Sequence, residues 1–560
     1  MWTIINKIEN FKQCELRNLS QWKFGDIWEI LPETYLIVMS LVALVTIGMA
    51  NFKPVANKIE KKTYIMPTQY KFSVNAMWFT IILYVIQLSY VNILNCLTLC
   101  WSLFAPKRWF HLDTIPTGDT SHLAYANYAI NDIYTAIIKI VVLLTIILIM
   151  NSSKESFKNH PRHLIEYPVL LMFTAVFLLI LVSAFNFITV FLAILGFSLT
   201  LYVLLLNDSF NQASREAGIK YFYLSTVSTG LLICGIFLTY LIFNSTSFMS
   251  ITWIVHNWKA FNNFDGSTFL ITVMLYFIIF GFLFKLAAFP CHLWAPEVYD
   301  GSPNAITVLF VLPVKIATFA IFVRILGYTF GELYEYWHYI IWLSAMFSMI
   351  WGCLGALTEQ TIKRFMAYSS INQMGFLLMG LACGTFEGYQ ASLIYLWIYV
   401  IMNAGFFLLF LCIKEKTINK PLTYLTDFND FAQKHNIYSV GLVIILFSMA
   451  GIPPLAGFVG KYIIFLHSFE TGHIGLVIVG MITSVIGAYY YLRIIKIMWF
   501  EKPIKNRFKF EVNMSMNLQI LIIFLETHLL TFICWLPFVF NVTHILALVA
   551  IQPFAQYSWW

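Results

Sequence analysis

The chain has 560 residues, of which 60% are hydrophobic and only 11% are charged. Soluble domains are about 45–50% apolar and about 25% charged, so a soluble chain this apolar could not cover its surface with polar groups. The composition excludes a soluble enzyme and predicts a membrane protein whose helices pair their backbone groups internally.

Apolar runs long enough to cross the bilayer recur along the whole sequence. No polar stretch is long enough for a separate soluble domain. The predicted fold class is therefore an all-α polytopic membrane protein with about 14 transmembrane helices. These spans lie near residues 34–50, 76–100, 131–150, 168–186, 187–206, 220–243, 268–289, 304–327, 337–357, 366–384, 389–412, 437–466, 474–499 and 516–540.

The net charge of +7 is distributed unevenly between the two sets of loops. Loops after odd-numbered spans hold 20 of the 34 Lys and Arg residues, and loops after even-numbered spans hold only three. This asymmetry is typical of the positive-inside rule, not of a nucleic-acid-binding surface. It predicts that the odd-to-even loops face the cytoplasm or matrix and that both termini face the opposite side.

The first 30 residues and the amino-acid usage bear on the origin of the chain. Glu9, Glu15, Asp26 and Glu29 fit neither an import presequence nor a secretory signal. The heavy use of Phe (52) and Tyr (30), whose codons are AT-rich, favours a protein made inside a mitochondrion. The expected location is the mitochondrial inner membrane, with both termini in the intermembrane space; an AT-rich bacterium is the alternative.

The nine cysteines are scattered, and most lie within or beside predicted spans. Cys96 and Cys100 share a helix face, but nothing nearby completes a metal-binding set, so we interpret them as small apolar packing residues. We expect no metal site.

Three sequence matches in the same order indicate an internal duplication. Residues 284–290 match residues 447–453, with a proline at the end of each string. Residues 225–235 match 370–380 upstream, and 322–326 match 491–495 downstream. The pair 284–290 with 447–453 and the pair 322–326 with 491–495 are each displaced by five spans. An odd displacement inverts the second copy relative to the first. The upstream pair is displaced by four spans and does not fit this plan.

The duplication predicts two inverted five-helix repeats with broken helices at spans 7 and 12. Proline breaks a helix because it removes a backbone donor, and such breaks at membrane depth are either buried in protein, as packing kinks, or line a wet cavity. The expected divisions are an N-terminal segment with three spans, a first five-helix unit, a second five-helix unit, and a final span with its tail. They cover residues 1–166, 167–330, 331–500 and 501–560.

Ionisable residues inside predicted spans are candidates for function, because burying them in a membrane is costly. Lys285 lies in span 7, Lys315 in span 8, and Lys461 after the Pro453-Pro454 break in span 12. Lysine suits proton transfer because burial lowers the pKa of an amine towards neutrality. We predict a proton-transfer role for these three lysines. For Lys139 in span 3, snorkelling or a local pair with Asp132 is the favoured interpretation.

Other ionisable residues carry weaker expectations. His292 follows the break in span 7 and His467 lies six residues after Lys461, so either could relay protons near neutral pH. Arginine stays charged, so anchoring or ion pairing is expected for Arg324 and Arg493. Solvated capping positions are expected for the acids at span ends, which are Glu33, Glu166, Glu297 and Asp300.

The residues around the first break resemble a known family. The string Phe284 to Pro303, with its Trp-Ala-Pro-Glu-Val-Tyr-Asp-Gly-Ser-Pro tail, is similar to the span 7 signature of the antiporter-like subunits of respiratory NADH:quinone oxidoreductase, and to subunit 2 in particular. The strings that agree with it are Arg215 to Phe222, Lys363 to Ile371, Met449 to Lys461, and Leu31-Pro-Glu33. The likeness covers roughly residues 30–500.

This resemblance implies a membrane-arm subunit of complex I, the H⁺-translocating NADH:ubiquinone reductase of the respiratory chain. Lys285 would be the proton-loading lysine of span 7, Lys315 the central lysine of span 8, and Lys461 the exit-side residue of span 12. The subunit itself would hold no cofactor, whereas the complex uses NADH, FMN, iron–sulfur clusters and ubiquinone. The implied partners are lipids and other membrane-arm subunits, including the adjacent antiporter-like subunit.

One residue departs from the family pattern. The family has a glutamate in span 5, and the matching stretch of this chain has Leu195 in its place. The usual ion-pair partner of Lys285 is therefore missing. We expect a substitute acid from a helix end or an adjacent subunit, with Glu216 and Glu297 as first candidates, or else altered pumping.

Three function classes remain open at this point. The first is a proton-translocating subunit of complex I, coupled to quinone reduction elsewhere. The second is a cation/proton antiporter of the Mrp type, which the Trp294–Pro303 string disfavours. The third is a structural membrane-arm subunit with altered or lost pumping, which Leu195 favours.

Overall fold

The computed structural model describes residues 24–51, 71–86, 122–124, 128–156, 166–207, 211–258, 267–415, 422–429, 431–501, 510–512 and 516–552. The predicted packing residues Cys96 and Cys100 lie outside these ranges, as do Glu9 and Glu15.

Helices dominate the part of the chain that the structure describes. The first group is α1 (Phe24–Asn51), α2 (Lys71–Ile86), α3 (Ile133–Ser156), α4 (Tyr167–Ser183), α5 (Phe187–Leu206), α6 (Gln212–Phe243) and α7 (Phe248–Trp258). The second is α8 (Ser267–Leu286), α9 (Trp294–Gly301), α10 (Asn304–Val311), α11 (Pro313–Arg324), α12 (Tyr334–Thr358), α13 (Ile362–Ala382) and α14 (Phe386–Cys412). The third is α15 (Phe431–Lys434), α16 (Asn436–Ala450), α17 (Ala456–Glu470), α18 (Ile474–Phe500), α19 (Met516–Leu530) and α20 (Phe532–Ile551).

These helices account for fourteen membrane spans within the described ranges, when α8–α9, α10–α11, α16–α17 and α19–α20 are each taken as one span and the short helices α7 and α15 are left out. In the described ranges, 9 helical segments are long and apolar enough to cross a membrane, one of them being α10 and α11 taken together, and shorter apolar helices accompany them. The predicted fold class is confirmed. The predicted first five-helix unit corresponds to α4, α5, α6, α8–α9 and α10–α11, and the predicted second unit corresponds to α12, α13, α14, α16–α17 and α18.

Both predicted helix breaks are present and share one backbone motif. At the end of α8, Ala287 has a left-handed φ of 57°, and the N–H of Ala288 donates to the carbonyl of Leu283 at 2.9 Å. At the end of α16, Gly451 has a φ of 85°, and the N–H of Ile452 donates to the carbonyl of Phe447 at 3.2 Å. This is a Schellman ending, which satisfies the last carbonyls of a helix.

The shared motif corrects the register of the sequence match by one residue. Ala287 corresponds in structure to Gly451, whereas the sequence match pairs it with Ala450. The sequence match pairs Phe284 with Phe447, but the residue that must adopt positive φ fixes the true register. The match of 225–235 with 370–380 joins the third helix of one unit to the second helix of the other, so it is not part of the repeat.

Two spans differ from the predicted pattern. Span 8 is also broken, between α10 and α11, because Pro313 has no N–H to continue the hydrogen-bond ladder. The predicted last span, 516–540, is two helices, α19 and α20. The ladder tightens at their junction, where the N–H of Cys534 donates to the carbonyl of Thr531 at 2.9 Å, and hydropathy does not register such a change.

Two short antiparallel strand pairs depart from a purely helical fold. Strand β1 (His122–Ala124) pairs with β2 (Ala129–Asn131), immediately before α3. Strand β3 (Ile413–Glu415) pairs with β4 (Phe510–Val512) and joins the end of α14 to the chain before α19. Both pairs lie at helix ends, where backbone groups can no longer bond within a helix.

The outer surface is apolar and the interior is partly polar, as a lipid-facing bundle requires. Large apolar side chains such as Val485, Tyr489 and Phe500 are mostly exposed. Serine, asparagine, glutamine and lysine side chains are buried on the inner helices instead. The polar groups that could carry function therefore lie inside the bundle.

The contact between α12 and α13 depends on Gly352. A methyl group there would come within 2.5 Å of the backbone nitrogen of Asn372 and 2.9 Å of the carbonyl oxygen of Tyr368. We predict that Gly352→Ala lowers the stability by about 1–3 kcal/mol, the usual cost of overpacking. The measurement is thermal denaturation of the purified protein in detergent.

The matched control for this substitution is Gly230→Ala on α6. A methyl group at that position meets nothing within 4 Å. Equal melting temperatures for the Gly352→Ala and Gly230→Ala variants would contradict the close helix contact.

Candidate functional site

Five lysine and arginine side chains are buried inside the bundle in the part of the chain that the structure describes: Lys139, Lys285, Lys315, Arg324 and Lys461. Each of them lies on a predicted span. They fall into two groups according to whether a carboxylate pairs with them.

Lys139 belongs to the ion-paired group. Its ammonium group pairs with Glu33 of α1 and donates to the Asn131 side-chain oxygen at 3.1 Å. The prediction of a local pair with Asp132 is therefore wrong, because Asp132 is engaged elsewhere. The prediction of a solvated Glu33 is also wrong, since this side chain is buried beside Lys139 where α1 and α3 meet.

Arg324 is the second ion-paired residue. Its guanidinium pairs with Asp132, both side chains are fully buried, and the ring centre of Tyr134 lies 5.1 Å away. Asp132 also accepts from the backbone N–H of Thr135 at 2.8 Å, which caps the start of α3. This pair joins α3 to the end of α11. The corresponding residue of the second unit, Arg493, donates to the carbonyl of Leu357 at 3.1 Å.

Lys285 has a different environment. It lies in the last turn of α8, just before the break, and its Nζ donates to the hydroxyl of Ser225 on α6 at 2.7 Å. The ring centres of Phe197, Tyr221 and Phe284 lie 5.4–5.7 Å from Nζ. Aromatic faces can stabilise a cation without giving it a counter-charge.

The local chain direction at Lys285 follows from the helix break. The Trp294 indole N–H donates to the carbonyl of Phe284 at 2.9 Å, which satisfies an oxygen that the interrupted helix leaves free. The tryptophan ring also stacks on Phe284, with centres 5.3 Å apart. The Trp-Ala-Pro string after the break thus fixes the helix end that carries Lys285.

Lys315 lies in the first turn of α11, next to the break in span 8. Its Nζ donates to the hydroxyl of Ser370 on α13 at 3.1 Å. One turn earlier, the carbonyl of Val311 accepts from the hydroxyl of Tyr399 at 2.8 Å. The break therefore places an ammonium group beside a serine in a fully buried position.

Lys461 lies in α17, on the far side of the break in span 12. Its Nζ donates to the carbonyls of Met449 and Ala450 at 3.1 and 3.0 Å. These carbonyls end α16, and the end of a helix carries a partial negative charge that favours a cation. The ring centre of Phe376 lies 5.2 Å from Nζ.

The three lysines of the second group share one property. Lys285, Lys315 and Lys461 contact hydroxyl groups, carbonyls and aromatic rings, and in the described ranges none of them pairs with a carboxylate. Burial without a counter-charge disfavours a cation, whereas an ion pair holds it. A lysine in such surroundings can release its proton without leaving a carboxylate unpaired.

Helix α13 contacts two of these lysines. Ser370 binds Lys315, and Phe376, six residues along the same helix, lies under Lys461. Six helical residues span about 9 Å. Between them, the buried side-chain oxygen of Gln373 accepts from Asn403 of α14 at 3.0 Å. The face of α13 that joins the two lysines is therefore polar.

The histidine candidates do not join this set directly. His292 is buried after the break, stacked on Phe289 with ring centres 5.7 Å apart, and its Nδ1 has no hydrogen-bond partner among the described residues. His467 lies six residues after Lys461 on α17, on a different side of the helix. Its Nδ1 lies 2.9 Å from a carboxylate oxygen of Glu470. Neither forms a hydrogen bond with a buried lysine within the described ranges.

The candidate substitute acids lie at the surface. Glu216 and Glu297 both pair with Lys220 at 2.8 Å, and Asp300 pairs with Arg364 at 2.9 Å. The expectation that Glu216 or Glu297 replaces the missing acid beside Lys285 is therefore wrong within this chain. Both carboxylates form ion pairs at the surface with Lys220, which lies four residues after Glu216. Glu166 is exposed immediately before α4, as expected, but its side chain forms no capping hydrogen bond.

Leu195 is partly buried on α5, and the contact from this helix to Lys285 comes from Phe197. Both Ser225 and Ser370 were missed as functional residues, although both head the strings that match each other in sequence. A serine inside an apolar helix was the available signal in both cases, because a buried hydroxyl needs a partner.

Known proteins resemble this chain in sequence. Residues 184–487 match the family described as "NADH:quinone oxidoreductase/Mrp antiporter, TM". Subunit N of the NADH-quinone oxidoreductase of Rhodospirillum rubrum is 35% identical over 384 residues, which cover 69% of this chain and 77% of the relative. Subunit N of Jannaschia sp. is 37% identical, with 69% and 78% covered. The chain belongs to this antiporter-like family.

Solved structures of antiporter-like assemblies share the fold. A chain of respiratory complex I from Thermus thermophilus superimposes with a TM-score of 0.65 at 20% identity, covering 93% of this chain and 97% of the other. A chain of the Mrp complex from Dietzia sp. superimposes with a TM-score of 0.75 at 16% identity, covering 94% and 98%. At these identities the likeness shows the fold alone.

The buried pair of Arg324 and Asp132 generates a prediction about stability in this antiporter-like subunit. Removing one member of a buried ion pair leaves an uncompensated charge and costs about 3–5 kcal/mol. We predict that Arg324→Met strongly lowers the amount of folded protein in membranes. The double variant Arg324→Met/Asp132→Leu should recover part of that loss.

The control is Arg493→Met, the corresponding arginine of the second unit, which contacts a carbonyl. Its effect on the amount of folded protein should be smaller. Equal losses for Arg324→Met alone and for the double variant would contradict the coupling of these two charges.

Proposed function

We propose that the chain is the subunit 2-type antiporter-like subunit of an H⁺-translocating NADH:quinone oxidoreductase, and that protons cross it by way of Lys285, Lys315 and Lys461. The observation that carries the proposal is the environment of these lysines. All three are buried, and their described partners are neutral groups. The redox reaction takes place elsewhere in the complex and drives the proton transfer.

The chemistry of the site is proton exchange between amines. Each lysine can take a proton, hold it against a hydroxyl or carbonyl oxygen, and release it without breaking an ion pair. Ser225 and Ser370 can both accept from the charged lysine and donate to the neutral one, because a hydroxyl is donor and acceptor. Helix α13 carries the connection from Lys315 to Lys461 through its buried polar face.

The surroundings of the subunit follow from the same proposal. The subunit spans the membrane many times, and its neighbours are lipids and other membrane-arm subunits, including an adjacent antiporter-like subunit. We assign no cofactor to this chain and leave NADH, FMN, iron–sulfur clusters and ubiquinone to the rest of the complex. The mitochondrial inner membrane, with both termini in the intermembrane space, is the proposed location, whereas Rhodospirillum rubrum and Jannaschia sp. are bacteria.

A second candidate function is a structural membrane-arm subunit that does not pump. Leu195 favours it, because the acid that pairs with the span 7 lysine in the family is absent and no described carboxylate replaces it. An Mrp-type antiporter has less support, since the relatives reported above are NADH-quinone oxidoreductase subunits.

The proposed route predicts that Lys315→Met lowers the number of protons translocated per electron pair. Methionine keeps the apolar volume of the side chain but cannot hold a proton, and Lys315 contacts Ser370 on α13, the helix that also contacts Lys461. The measurement is the proton-to-electron ratio of the purified complex in sealed vesicles, with NADH oxidation followed in parallel.

The control is Lys496→Met, because this lysine is mostly exposed, with 71% of its side chain accessible, and lies outside the proposed route. The ratio should be unchanged in that variant. If Lys315→Met assembles normally and pumps with the ratio of the control, protons do not pass through Lys315.

A further inference from the structure

Glu526 is a carboxylate inside the membrane that the proposed proton route does not use. It is ten residues from the start of α19, a distance of about 15 Å along the helix. Helices α19 and α20 pack along α14: His528 Nε2 lies 3.5 Å from the indole nitrogen of Trp397, and the carbonyl of Phe540 accepts from Gln390 at 3.2 Å.

These contacts fix the depth of Glu526. Trp397 lies about 16 Å from the first residue of α14 and about 22 Å from the last, because each helical residue advances 1.5 Å. The hydrocarbon core of a bilayer is about 30 Å thick. Glu526, two residues from the partner of Trp397, is therefore well inside that core.

The carboxylate rests against helix α16 at a glycine. A methyl group on Gly441 would collide with both carboxylate oxygens of Glu526. Two turns earlier on α19, Gln519 donates to the hydroxyl of Tyr438 at 3.0 Å, so the same face of α19 follows α16. Because Gly441 has no side chain, the carboxylate of Glu526 can occupy this space.

Glu526 is only partly buried, and in the described part of the chain no hydrogen bond or ion pair satisfies it. The side chains beside it on the outer surface are apolar. Ile523 and Leu530, one turn before and after, are 51% and 45% exposed. The acid therefore opens onto the outside of the bundle, away from the buried lysines.

Lipid tails cannot satisfy such a group. An ionisable side chain in the bilayer core is costly and is almost always paired or turned to the interior of an assembly. A lipid headgroup does not reach this depth. A second membrane-spanning chain can bring a hydrogen-bond donor or a positive charge to this position, where the described residues of this chain bring none.

We propose that the outer face of α19 around Glu526 is an interface with a membrane helix of another subunit, which presents a lysine, arginine or other donor side chain to the carboxylate. Charge complementarity selects the chemistry of the partner, and the exposed Ile523 and Leu530 supply the apolar contact on both sides. The interface is separate from the proton route and does not depend on it.

The test uses the intact complex in native membranes. A photo-crosslinking residue is placed at Ile523, one turn from Glu526, so that the acid itself is unchanged. The expected product is a crosslink to a membrane segment of another subunit that contains a basic or donor residue. Crosslinks to lipid only, or to a segment without such a residue, would overturn the proposal.

A second measurement removes the acid. Glu526→Leu should lower the fraction of complex that keeps the crosslinked subunit in detergent by about tenfold or more, since truncating one partner of a buried charge pair weakens an interface at least that much. Glu526→Gln, which can still accept a hydrogen bond, should lose less. Glu501→Leu, an acid beyond the end of α18, is the control. Retention equal to that of the control in both Glu526 variants would also overturn the proposal.

Discussion

The structure depends on how a positive charge is tolerated inside a membrane. A buried cation must be paired with an acid, held by neutral dipoles, or able to give up its proton. Lys139 and Arg324 are paired with acids and connect helices α1, α3 and α11. Lys285, Lys315 and Lys461 are held by hydroxyls, carbonyls and aromatic faces. The same residue type is thus structural in one place and suited to proton transfer in another.

Broken helices provide the neutral partners. Each break ends a helix in the bilayer, and the free carbonyls at that end are strong acceptors with a partial negative charge. Lys461 uses two of these carbonyls directly, while Lys285 and Lys315 lie within a turn of a break and reach a serine on a neighbouring helix. The two units therefore place their lysines differently: Lys285 precedes its break and Lys461 follows it.

Much of this arrangement could be predicted from the sequence, and the failures have physical causes. Hydropathy located the spans because a membrane helix must be apolar over its whole length, and the prolines located two of the breaks. Hydropathy could not show that Glu33 turns inward to Lys139, nor that Lys220 holds Glu216 and Glu297 at the surface. Which acid meets which base is decided by helix packing, and sequence proximity is a poor guide to it.

The chain differs most from the family pattern at Lys285. Its partner is Ser225, where the family pattern has an acid, and Leu195 occupies the place of that acid. If neutral partners are enough for proton transfer, this lysine still works. If an acid is required, the subunit is a scaffold that keeps the fold of its family.

The proton-to-electron ratio of a Lys285→Met variant tests this most directly. The complex should be assembled in vesicles and its proton translocation compared with that of the unmodified complex at equal rates of NADH oxidation. We predict that the variant assembles, because methionine fills the same apolar space, and that it translocates fewer protons per electron pair. An assembled variant with an unchanged ratio would contradict the account and make this subunit structural.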